Sequence, residues 1–185
     1  MARASAKSAA SASKMPPPLS AFRSFPLHER PAFDWHSHPR HFGTSRSSGR
    51  KHAGCDLYAP TGTPVLAVAD GKIIGFGRFA VVPAFPELVG AIEVEHEGGW
   101  ITRSCAVGRK LAGALKVGSR VTAGEVIGEI GHLRDKLPIP WDMLHFELSG
   151  GWQTGPLSRP NVGEFHRRAD LLDPISYLNA CAPPP

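Results

Sequence analysis

The sequence predicts an all-β antiparallel fold, and three observations carry that prediction. Residues Ala91 to His96 alternate apolar and charged side chains (Ile92, Glu93, Val94, Glu95), the period-two pattern of a half-buried strand. The 20 glycines and 18 prolines cut the chain into short β-branched runs, as closely spaced turns require. No ten-residue segment carries an apolar stripe at helical spacing. A chain of 185 residues with 42% hydrophobic residues suits one domain with its own core.

In chain order, residues 1–21 read as a flexible Ala/Ser/Pro-rich arm, stiffened at Pro16-Pro17-Pro18. Residues 22–180 form the domain and 181–185 a tail. Phe22 to Trp35 supply the first aromatic residues and so the first packed ones. His36, His38 and His41 follow in a loop rich in Gly, Ser and Pro. Such a cluster could bind metal, but in a loop this polar exposed histidines are the favoured reading. From Asp56 the pattern is β. Val65, Ala67 and Ala69 alternate with Leu66, Val68 and Asp70, and Asp70-Gly71 turns the chain into Lys72 to Phe76. Gly98-Gly99 joins the strand at 91–96 to Trp100–Val107 as a hairpin. The stretch from Leu115 to Gly131 has glycines at bend spacing, and Thr63 to Gly77 resembles it, which predicts two similar hairpins facing each other. Residues 132–140 make a proline-bearing loop, and Met143 to Leu148 a strand. Asp173-Pro174 reads as the cap and first turn of a short helix.

Bulk chemistry narrows the function. The 21 basic and 16 acidic residues leave a formal charge of +5, which suits an anionic partner such as nucleic acid, a membrane surface or bacterial cell wall. Part of that charge lies in the first fourteen residues. The few aromatics do not interleave with a Lys/Arg stripe, so nucleic-acid binding is disfavoured. No run approaches the roughly 18 apolar residues of a membrane span, and Met1 to Lys14 lacks the apolar core of a secretory signal. Cys55, Cys105 and Cys181 include no C-x-x-C pair, which argues against a disulfide framework or a zinc knuckle. Cys55 reads as a buried inert thiol. A Cys55–Cys105 disulfide, or Cys105 as a metal ligand, are the alternatives.

The residues with metal chemistry are His52 and Asp56, four positions apart around Gly54, and His145 inside Met143-Leu144-His145-Phe146-Glu147. Two imidazoles and a carboxylate form the ligand set of a catalytic zinc site that keeps its fourth position for water.

The order of motifs resembles the lysostaphin/LytM-type zinc endopeptidases over about residues 40 to 180. It comprises His52-x-Gly54-x-Asp56, Ala59-Pro60-x-Gly62-Thr63-Pro64-Val65-x-Ala67, Asp70-Gly71, the stretch Val117-Gly118 to Gly131, and Leu144-His145-Phe146-Glu147. The resemblance implies a barrel-sandwich hybrid fold that cuts peptides of peptidoglycan, with Zn²⁺ on His52, Asp56 and His145. It also implies two catalytic histidines, one two residues before the last ligand and one in the strand after the Gly-Gly turn. Met143 and Ala106 stand at those positions. A related branch of the family carries Arg-Tyr-Gly-Glu in that strand, where this chain has Arg103-Ser104-Cys105-Ala106. Loss of one catalytic group commonly costs about 10²–10⁴ in rate.

The expected function is therefore a zinc metalloendopeptidase hydrolysing peptide bonds of peptidoglycan through a metal-activated water. The alternative is a catalytically impaired, zinc-containing module that binds cell wall or regulates a partner. Glu147 is the candidate catalytic group or, as a carboxylate behind His145, a support for a ligand. His36, His38, His41 and His132 are further candidates for the base. Arg46 and Arg50 either hold a substrate carboxylate or are simply solvated. With no signal segment visible, action at the wall or in the periplasm would need specialised secretion, phage lysis or release.

Overall fold

Among the described residues, short runs bounded by Gly and Pro become nine strands: β1 (Cys55–Tyr58), β2 (Pro64–Leu66), β3 (Gly71–Arg78), β4 (Gly90–His96), β5 (Ile101–Val107), β6 (Arg120–Val121), β7 (Val126–Glu129), β8 (Met143–Ser149) and β9 (Leu171–Leu172). One short helix, α1 (Ile175–Ala180), follows. The structure is a computed structural model describing residues 15–79, 89–133, 142–153 and 155–184. One sheet runs in the order β1-β8-β5-β4-β3-β6, with β9 also paired to β8. A second sheet pairs β2 with β7. All named pairings are antiparallel, so the all-β expectation holds. Among the described residues no helix is long and apolar enough to cross a membrane.

The β4–β5 hairpin forms where the alternation placed it, with Glu95 opposite Ile101. Gly98 and Gly99 take φ of +84° and +80°, values costly to any side-chain-bearing residue. The expected pair of facing hairpins is corrected. β2 does not fold back on β3; it pairs with β7, and β3 pairs with β6. Asp70-Gly71 is thus a corner at which the chain leaves one sheet for the other. The backbone between those strands bonds elsewhere: Ala67 N–H donates to the Glu125 carbonyl, Gly124 N–H to that of Ala67, and Arg23 and Ser24 N–H to that of Val68. The two similar stretches interlock strand for strand.

The core lies beneath the large sheet. Phe22 stacks on Trp100 at 5.4 Å and meets Phe146 edge-on at 5.9 Å, beside the buried Phe25, Leu57, Ile73, Ile92, Leu144 and Leu178. Packing reaches past both expected domain boundaries. Pro17 is buried and its carbonyl accepts from the Tyr177 hydroxyl, while the Ala182 carbonyl accepts from Phe25 N–H. Residues 1–14 of the expected arm, and 134–140 of the expected proline loop, lie outside the described residues. Helix α1 starts one residue later than a cap at Asp173 would place it, although the Asp173 carboxylate does accept from Ile175 N–H. All three cysteines are buried and free, so no Cys55–Cys105 disulfide exists. Burial pushes the Cys55 thiol up to about 12 and the Cys181 thiol to about 11, leaving both inert.

Candidate metal centre

Antiparallel pairing of β1 with β8 sets Asp56 opposite His145, so two residues remote in sequence share one face. His52 precedes β1 and is fixed through its backbone: its N–H donates to Thr44 and its carbonyl accepts from Gly43. Between them the chain runs hard against β8. A Cβ at Gly54 would stand 2.2 Å from the Phe146 carbonyl oxygen, so only glycine fits.

The three side chains meet at their tips. His52 Nε2 lies 3.0 Å from Asp56 Oδ1 and 3.0 Å from His145 Nδ1, and His145 Nδ1 lies 2.8 Å from Asp56 Oδ1. All three residues are buried. The outer nitrogens define what the tips present. His52 Nδ1 faces the His41 carbonyl at 2.9 Å, which only accepts, so Nδ1 carries the proton and Nε2 a lone pair. His145 Nε2 faces the Glu147 carboxylate at 3.0 Å, which likewise directs its proton outward. Two imidazole lone pairs and a carboxylate oxygen then converge, an arrangement that repels itself unless a cation sits among them. Ligand atoms of a tetrahedral zinc stand about 3.3 Å apart, close to the triangle found. The residues fit a metal ion of that kind.

Without a metal, a proton takes the cation's place. Burial alone disfavours a charged imidazole, and at His52 it prevails and lowers the pKa. At His145 burial is outweighed by hydrogen bonds to Asp56 and Glu147, which raise the pKa to about 9. Burial opposes ionisation of Asp56 and Glu147 too. Bonds from the imidazoles, and Arg167 beside Glu147, nevertheless hold both well below the usual carboxylate range. The metal-free chain is affected directly. The stability His145 contributes is complete below its unfolded value of 6.5 and is lost as pH climbs through about 9. Calorimetry of metal-free protein should show a melting midpoint that falls between those two pH values. Saturating zinc, which requires the unprotonated imidazole, should remove the fall; an unchanged midpoint across the range would contradict the assigned contacts.

The other sequence candidates have defined places. Arg46 is turned inward and donates from Nη2 to Asp56 Oδ2 at 2.9 Å, while Arg50 is exposed. Glu147 is buried, with Oε1 on His145 and both oxygens on Arg167 at 2.6 Å; Arg103 adds a contact of 3.3 Å. It is placed to steady His145. His36 bonds Asp34 and Asn179, His38 bonds Thr44, and His132 bonds Thr61 and Asp142. His41 serves the site through its carbonyl. Cys105, cross-strand partner of His145, is not among the converging ligands. Ala106 is fully buried at φ +62°, packed with Val89, Leu133 and Phe79, and the Phe79 ring stacks on His145 at 5.7 Å. Met143 is half-buried. Sequence reasoning missed Arg103 and Arg167. The one available signal was the buried acid on β8, which needed a cation from somewhere.

The chain is 34% identical over 103 residues to the cell division protein DipM of Caulobacter vibrioides, a match covering 56% of this chain and 15% of DipM. Its fold is similar to lysostaphin in solution, with a TM-score of 0.53 at 23% identity over 76% of this chain and 49% of that one. The catalytic domain of the antimicrobial peptidase lysostaphin from Staphylococcus simulans gives 0.52 at 21% identity, over 76% and 89% of the two chains. LytU gives 0.51 at 25%, over 83% of each. The chain thus spans a small part of DipM and about half of full lysostaphin. Residues 50–156, more than half of the chain and including His52, Asp56 and His145, match Peptidase family M23, and the chain belongs to that family.

Proposed function

We propose that the chain is a zinc metalloendopeptidase acting on the peptides of peptidoglycan, with His52, Asp56 and His145 as the zinc ligands. The observation that carries this reading is the convergence of three electron-pair donors whose outer atoms are already committed to His41, Arg46 and Glu147. Bound there, zinc would supply a Lewis acid that lowers the pKa of water to about 7 and polarises a carbonyl. The chain's own residues do the rest. Asp56 offsets part of the ion's charge, and Arg46 holds its second oxygen so that Oδ1 faces inward. Glu147 fixes the tautomer of His145 and stays ionised, and so acts by orientation and not by carrying a proton. Family membership and the formal charge of +5 support an anionic wall polymer as substrate. Action at the wall or in the periplasm is part of the same proposal.

A second reading has its own observation. The fully buried Ala106, packed in an apolar cluster, and Met143 occupy the positions where the family resemblance expects catalytic histidines. This favours a zinc-containing module that binds wall or regulates a partner without cutting. Zinc content and release of soluble peptides from purified peptidoglycan, measured on the same preparation, separate the two. Zinc with release establishes the hydrolase; zinc with no release establishes the module; a chain that binds no zinc overturns both.

A further inference from the structure

The excursion between β8 and β9 returns to the metal centre, and its contacts go to both halves of the ligand set. On the His52 side, Lys51 N–H donates to the Glu164 carbonyl at 2.8 Å and Lys51 Nζ lies 3.0 Å from Glu164 Oε2. Phe42 and Phe165 stack at 4.9 Å. On the His145 side, the Arg167 guanidinium meets both Glu147 oxygens at 2.6 Å, and Glu147 Oε1 accepts from His145. A fork-to-fork pair fixes the plane of the carboxylate as well as its charge. Without that pair the buried Glu147 would keep only single contacts, which leave the plane of its carboxylate, and so the tilt of the His145 ring, less defined. Arg103 reinforces the same carboxylate more loosely, at 3.3 Å.

We infer that Arg167 is a positioning residue for the metal centre, acting through Glu147 on His145, with the segment 155–168 clamping the two ligand-bearing stretches together. The inference rests on the reading of His52, Asp56 and His145 as a zinc site. Partners behind a metal-bound imidazole commonly contribute about 10–100-fold in metal affinity; Arg167, one step further out, reaches that range because its bond to the carboxylate is bidentate.

The test is zinc affinity of the full chain, by competition with a chelator of known affinity, for wild type, Arg167→Ala, Arg167→Gln and Arg167→Lys. Metal-free melting midpoints and visible spectra with cobalt in place of zinc accompany it. The expected result is tight zinc binding by wild type and a loss of about 10-fold or more in Arg167→Ala. Arg167→Lys, keeping charge without the fork, should recover part of it, and the cobalt bands should shift in the alanine variant. If Arg167→Ala does not fold, Arg167→Gln carries the same comparison. Wild-type binding with equal affinity and unshifted bands in a folded variant overturns this inference alone. Absence of zinc binding by wild type overturns the metal reading, and the inference with it.

Discussion

Replacing His145 by alanine should abolish stoichiometric zinc binding and, with it, any release of peptides from peptidoglycan. The variant keeps His52 and Asp56, but two ligands cannot hold an ion that three hold. The loss should therefore exceed the roughly 10–100-fold that removal of an outer partner costs. The fold should survive, because Glu147 retains Arg167 and Asp56 retains Arg46 and His52. Metal analysis after dialysis provides the first readout. The second is the rise in melting midpoint on adding zinc, which wild type should show and the variant should not, since only a ligand bound to the folded state stabilises it. A variant that still carries one zinc at wild-type affinity would place the ion elsewhere.

Gly54→Ala, a change of one methyl group, should do nearly as much damage. The added carbon would stand 2.2 Å from the Phe146 carbonyl oxygen and 2.9 Å from its carbon, both backbone atoms that no rotamer change can move. β1 must then lift from β8, which draws Asp56 away from His145. Overpacking of this kind costs typically about 1–3 kcal/mol, occasionally more, and zinc affinity should drop at least tenfold as the ligands part. Gly77→Ala is the control, because a Cβ there meets nothing within 4 Å. Urea midpoints and chelator competition on both variants decide it. If Gly54→Ala matches wild type in both, the close approach of the two strands is not what sets the ligand geometry.

The cluster of His52, Asp56 and His145 was legible because its cues are local: a histidine and an aspartate around a glycine, and a histidine in an apolar strand. The β4–β5 hairpin was legible for the same reason, since Gly98-Gly99 specifies both the bend and the partner. Asp70-Gly71 specifies only a bend. Which strand takes up the hydrogen bonds of β2 depends on β7, some sixty residues on, and no short-range pattern encodes that choice. The groups that support the cluster were hidden likewise. Arg103 reaches Glu147 across 44 positions and Arg167 across 20, and an arginine in a polar stretch looks the same whether solvated or buried against an acid. Arg46, read from the sequence as either a substrate-carboxylate holder or a solvated residue, bonds Asp56, because a buried carboxylate without a cation is costlier than an exposed guanidinium unpaired.

The pairing of β1 with β8 has a kinetic consequence. His145 and Asp56 are separated by 89 positions and most of the large sheet is threaded between them, so bringing them together closes a long loop, and the expected order is sheet first and contact second. An ion bound at this centre would then latch an assembled sheet and would not seed its formation. Zinc should accordingly slow unfolding while leaving the rate of refolding nearly unchanged.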